Sequence, residues 1–371
     1  MKKRRTAHSH RSQTPPTVSG NVCRRVRAFH YQKFDHMIRF QNNCCLIRQA
    51  HKLLESVGVA GVAIITISSI GAPAIAIATE PPITATAFSP SGTDLLLGSQ
   101  AGLKAFAWPR GEGANGKTLD SEIEHIHHIS FSPDGGTMLV AGGSPARHGS
   151  VELWNWPQRS MRVRASIGDD VIYQAVWIPD SSKFITASAD RRCRVVNATS
   201  ANESLIYEEH SRAVLGIDLI ASGANAVSVG VDQTLRLWNT ATGQHLRTLD
   251  NHLDTIHGVI ALKNLASPHP IVVTFGEDNT VRSWQPTIGR MMRFIKLSST
   301  PLCGAASRDG KQLYVGCRDG NVRSIAIETM TLIADRPTKL DTIFGIEITP
   351  NNEQIVASGI GGVDWFGIDP M

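Results

Sequence analysis

Ser228-Val229-Gly230-Val231-Asp232-Gln233-Thr234-Leu235-Arg236-Leu237-Trp238-Asn239 returns without a gap as Thr274-Phe275-Gly276-Glu277-Asp278-Asn279-Thr280-Val281-Arg282-Ser283-Trp284. Each copy reads as a β-prone run, a turn built around an Asp, and a second run ending on a Trp. A unit repeated at this spacing signals a propeller or a solenoid. The Trp place recurs as Phe106, Trp154, Val196, Trp238, Trp284, Ile325 and Phe366. That makes seven units.

A second, independent landmark gives the same number. Ala87-Phe88-Ser89-Pro90-Ser91-Gly92 and Ser130-Phe131-Ser132-Pro133-Asp134-Gly135 each place a large apolar residue just before a Pro/Gly turn. Pro presets φ there and Gly tolerates positive φ. The apolar place recurs at Phe88, Phe131, Trp177, Leu219, Leu262, Ala306 and Ile348. Strands a and b flank the turn and strand c ends at the aromatic place. A fourth run, d, leads to the next unit, as in Met161–Ser166, Ser204–Tyr207, His245–Leu249, Met291–Lys296 and Thr331–Ala334. Four strands in each of seven units predict an all-β, seven-bladed propeller.

Units four and five resemble WD repeats, with Asn239 and Gln285 where that family usually carries Asp. The resemblance covers residues 71–371 and implies a buried hydrogen-bonded set in each regular blade. These sets are His210, Ser228, Asp232 and Trp238 in unit four, and His252, Thr274, Asp278 and Trp284 in unit five. The chemistry is consistent, because a buried indole N–H and a buried imidazole both need partners. Other units depart from the pattern. Unit three keeps Thr186 and Asp190 but has Val196 for the Trp and no His, and unit six keeps only Asp319. Units one and seven carry Gln100 and Ile360 at the Asp place, and unit two has an insertion at Ser144–His148.

Only five residues follow Phe366, so the last unit lacks an outer strand from its own end. The alternating run Ala74-Ile75-Ala76-Ile77-Ala78-Thr79 lies in register to supply it and close the ring. Residues 1–70 form a basic and then hydrophobic extension, expected to be disordered or helical. Residues 1–55 carry a net charge of +10 and residues 56–371 a net charge of −5. The propeller itself therefore gives no reason to expect nucleic-acid binding. Residues 56–78 are uncharged, and Ala76-Ile77-Ala78 has the small residues of an export cleavage site. Two readings follow: a cytoplasmic protein whose residues 74–79 close the ring, or one exported or membrane-anchored through residues 56–78. Membrane contact is expected only through that segment.

No catalytic motif stands in usable context. Cys23, Cys44, Cys45, Cys193, Cys303 and Cys317 form no CxxC pair, which argues against a zinc site or a disulfide framework. His125 and His127 would share one face of a strand, as a metal pair would. Their place near the family's pre-strand His favours a structural use. No cofactor, metal or catalytic group is implied.

The expected function is a protein-interaction scaffold, binding through loops at one rim. Candidate contacts are Arg147, His148, Asp169, Asp170, Arg191, Arg192 and Arg318. The alternative is a small-ligand-binding or enzymatic propeller working at the channel mouth, which requires His or carboxylate groups to converge there. Trp108 and Trp156 each follow strand c by two residues, and either blade-edge packing or a partner contact would suit them.

Overall fold

The computed structural model describes residues 80–109, 115–179, 182–263 and 267–368. They belong to a compact unit spanning Ile77–Met371. Seven antiparallel sheets follow one another along the chain, six of four strands and one of three among the described residues. Blade 1 comprises Ile83–Phe88, Asp94–Ser99, Gly102–Ala107 and Lys117–Leu119, and blade 2 comprises His125–Phe131, Thr137–Ser144, His148–Asn155 and Ser160–Ser166. Blade 3 runs through Ile172–Trp177, Lys183–Ser188, Cys193–Asn197 and Glu203–Tyr207. Blade 4 holds Val214–Ile220, Asn225–Gly230, Leu235–Asn239 and His245–Leu249. Blade 5 holds Ile256–Leu262, Ile271–Gly276, Thr280–Gln285 and Arg290–Lys296. Blade 6 contains Pro301–Ala306, Gln312–Cys317, Asn321–Ala326 and Thr331–Pro337, and blade 7 contains Thr342–Ile348, Gln354–Ile360 and Gly362–Gly367. The strands of each blade are a to d in that order.

Burial explains the composition of the strands. Each strand b lies between two neighbouring blades, so it reads as a nearly unbroken apolar run: Leu95-Leu96-Leu97, Leu139-Val140-Ala141 and Val272-Val273 are all buried. Strands d form the outer edge, and those of blades 2, 5 and 6 are mostly exposed. The side chains between blades gather into seven apolar clusters, one for each neighbouring pair. Each fully buried Leu, Ile or Val contributes about 1.5–3 kcal/mol relative to exposure. The ring is therefore held by the stacking of its sheets.

The seventh cluster closes the circle. Leu95, Leu97 and Phe106 of blade 1 pack with Val356 of blade 7, flanked by Val363 and Trp365. Trp108 meets Trp365 edge-on at 5.7 Å, and the hydroxyls of Thr86 and Ser358 share a hydrogen bond. A groove of about 400 Å³ beside strand c of blade 7 is lined by Glu80, Ile83, Phe106, Val363 and Trp365. The expected closing strand, residues 74–79, lies outside the described residues, as do the extension over 1–70 and the uncharged stretch over 56–78.

One landmark moves. In blade 5 it is Ala261, not Leu262, that stands opposite Val272 and through it Trp284. The equivalent residue of blade 4 is Leu219, opposite Ala226 and Trp238. The a–b turns show why Ser or Thr recurs there. Ser89 Oγ accepts the Asp94 N–H at 3.0 Å, Ser132 Oγ that of Thr137 at 2.9 Å, and Ser307 Oγ that of Gln312 at 2.9 Å. Gly92, at φ +73°, takes the left-handed position in the first of these turns.

Candidate functional site

The hydrogen-bonded sets of blades 4 and 5 have matching geometry. In blade 5, Trp284 Nε1 donates to Thr274 Oγ1 at 2.8 Å, and that hydroxyl lies 2.7 Å from His252 Nε2. His252 Nδ1 lies 2.9 Å from Asp278 Oδ2. In blade 4 the chain runs from Trp238 to Ser228 at 3.2 Å, to His210 at 2.8 Å and to Asp232 at 2.9 Å. Burial pushes His252 down to about 4, against the pull of Asp278, so its ring is neutral near pH 7. The neutral ring donates from Nδ1 to Asp278 and accepts the Thr274 hydroxyl at Nε2, which matches every donor with an acceptor. Burial works against ionisation of Asp232 and Asp278. Hydrogen bonds from His210 and Thr234, and from Thr280 and His252, nevertheless hold both near 2.

An arginine four residues beyond the turn Asp completes these clusters. Arg194 meets Asp190 at 2.7 Å, Arg282 meets Asp278 at 3.0 Å, and Arg323 meets Asp319 at 2.7 Å. In blades 3 and 6, which lack the His, the guanidinium is the main partner of the carboxylate. Thr186, with no His or Trp beside it, has a buried hydroxyl lacking a partner among the described residues. Blade 2 uses Glu152 at the register place of these arginines. Glu152 is fully buried and accepts from Trp154 Nε1 at 3.2 Å, Arg164 Nε at 3.0 Å and the Glu122 N–H at 3.0 Å.

The turn aspartates also fix the loops that enter strand a of their own blades. Asp190 accepts the Asp169 N–H at 3.1 Å, Asp232 that of Ser211 at 3.1 Å, and Asp278 that of Leu253 at 3.2 Å. Most candidate rim residues are engaged within this surface. Arg192 lies 3.4 Å from Asp169 and 3.0 Å from Glu208. Asp170 accepts the Ala146 N–H at 2.8 Å, tying the blade-2 insertion to the loop before blade 3. Arg318 grips Glu277 with both terminal nitrogens, at 2.6 and 2.7 Å. Arg147 and Arg191 are exposed and form no ion pair among the described residues, while His148 is half-buried at the start of its strand.

On the same side, every strand a carries a β-bulge at one place. The seven bulged residues are Thr84, His127, Tyr173, Leu215, His257, Leu302 and Phe344. All seven line one cavity of about 200 Å³, the mouth of the central channel. A bulge adds one residue and re-aims a side chain, and here the re-aimed side chains form a ring. His257 lies 2.8 Å from Glu277, which His257 and Arg318 together hold near 2 against the effect of burial. His127 stacks parallel to His125 and meets Tyr173 edge-on at 5.1 Å. Beneath the ring lie His128 and Glu347.

The family model for the WD domain, G-beta repeat, matches residues 202–239, the outer strand of blade 3 and the inner three of blade 4. The chain is a WD-repeat β-propeller. Mouse telomerase protein component 1 is 24% identical over 242 residues, covering 63% of this chain and 9% of that protein. Protein FIZZY-RELATED 2 of Arabidopsis thaliana is 25% identical over 242 residues, covering 62% of this chain and 47% of its own length. The tRNA (guanine-N(7)-)-methyltransferase non-catalytic subunit wuho of Drosophila mojavensis is 30% identical over 122 residues, covering 32% of this chain and 30% of its own. The chain thus spans less than half the length of each of these relatives.

One expectation for this WD-repeat propeller needs correction. His125, His127 and His128 lie within strand a of blade 2, not at the pre-strand place of His210 and His252. Counted back from the bulge, that place in blade 2 belongs to Glu122. Among the described residues no three His, Cys, Asp or Glu side chains gather as a metal site would need. Trp156 is buried against Phe131 at 5.3 Å with Arg159 over its ring, and Trp108 is half-buried between Phe88 and Trp365. The bulge ring escaped sequence reading because Leu215, Leu302 and Phe344 resemble core positions until the register is known.

Proposed function

We propose that this chain is a scaffold that holds a partner protein against the propeller face bearing the d–a and b–c loops. WD-repeat propellers generally act as interaction platforms rather than enzymes, and one relative is by name a non-catalytic subunit. The observation that carries the reading is the exposed apolar side chain that this face presents on a backbone held in place. Leu253 is 80% exposed, with its backbone pinned by Asp278, and Phe344 is 37% exposed beside half-buried Leu215 and Leu302. Around them stand the ion pairs of Arg192 and Arg318. Exposed apolar side chains among polar, internally paired ones are the anatomy of a protein interface.

The enzymatic alternative needs a titratable pair at the channel mouth. His257 is engaged by Glu277, and Glu277 by Arg318, so this trio acts as a brace between blades 5 and 6. Affinity purification from native cells tests the scaffold reading. The wild-type chain should retain a defined set of proteins, Leu253→Glu should lose it, and Lys311→Glu, in an a–b turn on the opposite face, should keep it. Retention of the same set by Leu253→Glu refutes the proposed face.

A further inference from the structure

We propose that the channel mouth receives one long basic side chain, Arg or Lys, from the bound partner, with its charged head at Glu347 and its aliphatic stem inside the collar of Leu215, Leu302 and Phe344. The inference rests on the scaffold reading and names what the partner must bring to this face.

The cavity wall has the wrong balance of groups to be satisfied by itself. Glu347 lines it and has no hydrogen-bond or ion-pair partner among the described residues. No Lys or Arg lines the cavity; Arg318 is already held by Glu277 in a bidentate pair. His128 also lines it, with Nδ1 buried and unpartnered. Burial holds that ring neutral, down to about 4, so it brings a lone pair and not a compensating charge. A buried, unpartnered carboxyl and an imidazole lone pair on one cavity wall call for a ligand rich in N–H donors, and a cationic head would draw the Glu347 proton into solvent and pair with the carboxylate left behind.

Shape selects a side chain over a compact ion. Glu347 lies three residues along strand a from Phe344, roughly 10 Å deeper at about 3.3 Å per residue. A long basic side chain entering from the face and the glutamate reaching toward it together span that depth. Three of the seven ring residues above, Leu215, Leu302 and Phe344, are apolar, which suits the methylene stem of Arg or Lys while its head stays with polar groups. The net charge of −5 over residues 56–371 favours a cationic element arriving at this face.

The test uses the full-length protein and three probes: N-acetyl-arginine amide, N-acetyl-lysine amide and the neutral isostere N-acetyl-citrulline amide. Binding is read by ligand-observed NMR and calorimetry. At least one cationic probe should bind at millimolar concentration, citrulline should not, and Glu347→Gln should weaken the cationic probe about ten- to a hundredfold, as loss of one charge-assisted hydrogen bond implies. Phe344→Ala, an exposed position, should weaken it by a smaller factor. No binding by either cationic probe overturns the proposal, as does equal binding by citrulline or by Glu347→Gln. The scaffold reading fails separately. A partner lost with Leu253→Glu but retained by Glu347→Gln leaves the scaffold and overturns the channel site. A cationic probe that needs Glu347, with retention indifferent to Leu253→Glu, does the reverse.

Discussion

Replacing Asp278 by Ala removes the acceptor on which the blade-5 cluster converges. The carboxylate takes hydrogen bonds from His252 Nδ1 at 2.9 Å, Leu253 N at 3.2 Å, Thr280 N at 3.0 Å, Thr280 Oγ1 at 2.6 Å and Arg282 Nη2 at 3.0 Å. Its side chain is 6% exposed and that of Arg282 10%, so water cannot readily replace it. Arg282 keeps the Asn251 carbonyl and the Thr280 hydroxyl but loses its only counter-charge among the described residues. Breaking a buried pair in this way costs about 3–5 kcal/mol. The parallel change Asp319→Ala should cost about 1 kcal/mol, because Asp319 is 38% exposed and Arg323 retains Asp335 at 3.1 Å. Thermal unfolding of the two variants beside wild type measures the contrast. At roughly 2–4 °C per kcal/mol, Asp278→Ala should lower Tm by about 6–20 °C. Adding Arg282→Met should recover part of the loss by removing the stranded charge. A loss from Asp278→Ala no greater than that from Asp319→Ala refutes the reasoning.

Glu347 titrates in the opposite sense. Burial pushes it up to about 8, so the folded chain holds a proton that the unfolded chain releases from about 4.5 upward. Its contribution to stability therefore falls as pH rises from about 4.5 to about 8, and Glu347→Gln should flatten that part of a urea-midpoint profile. An unchanged profile contradicts the buried carboxylate. Asp232 and Asp278, held near 2, stabilise the fold above the unfolded value of 3.8 and lose that contribution as pH falls through about 2. Acid unfolding should shift upward in pH when both are replaced by Asn. Trp156→Ala should cost about 3–5 kcal/mol without altering partner retention; loss of the partner at unchanged Tm would assign Trp156 to an interface instead. Intact mass of the native protein reads its terminus, where a cytoplasmic chain keeping residues 74–79 is expected and a terminus near Thr79 contradicts it.

The fold was legible because two of the four strands per blade announce themselves. Strand b is apolar on both faces, and strand c ends at an apolar side chain buried against the preceding blade. The sets at His210 and His252 were legible because those two blades keep every member. What remained hidden depends on register. A bulge shifts strand a by one residue, and nothing in the composition of Val214–Ile220 or Thr342–Ile348 marks Leu215 or Phe344 as the extra residue. The blade-5 landmark was displaced for another reason: Ala261 holds the place opposite Val272, and a larger Leu follows it in the sequence. Arg194 and Arg323 were equally silent, because a guanidinium takes the place of a missing His only once the turn Asp is seen to face it. Glu347 sits in an alternating apolar strand, and only the ring shows that its side of the strand is the channel.

The irregular repeats and the binding face meet in one device. Each turn Asp in blades 3, 4 and 5 has two tasks: it pairs with a buried guanidinium or accepts from a buried imidazole, and it holds an N–H of the loop entering its own blade's strand a. The internal partner varies between blades, as Arg194 alone in one and His with Arg in the other two, yet the loop anchor is kept. Loss of a His or a Trp therefore lowers the stability of one blade without releasing its loop, and the neighbouring sheets still bury its faces. Only removal of the Asp combines the two effects. The loop presenting Leu253 should consequently loosen with Asp278→Ala and stay fixed with His252→Phe, even if both variants melt earlier than wild type. Hydrogen exchange at the Leu253 amide separates these outcomes, since a structural loss spread evenly over blade 5 would speed exchange alike in both.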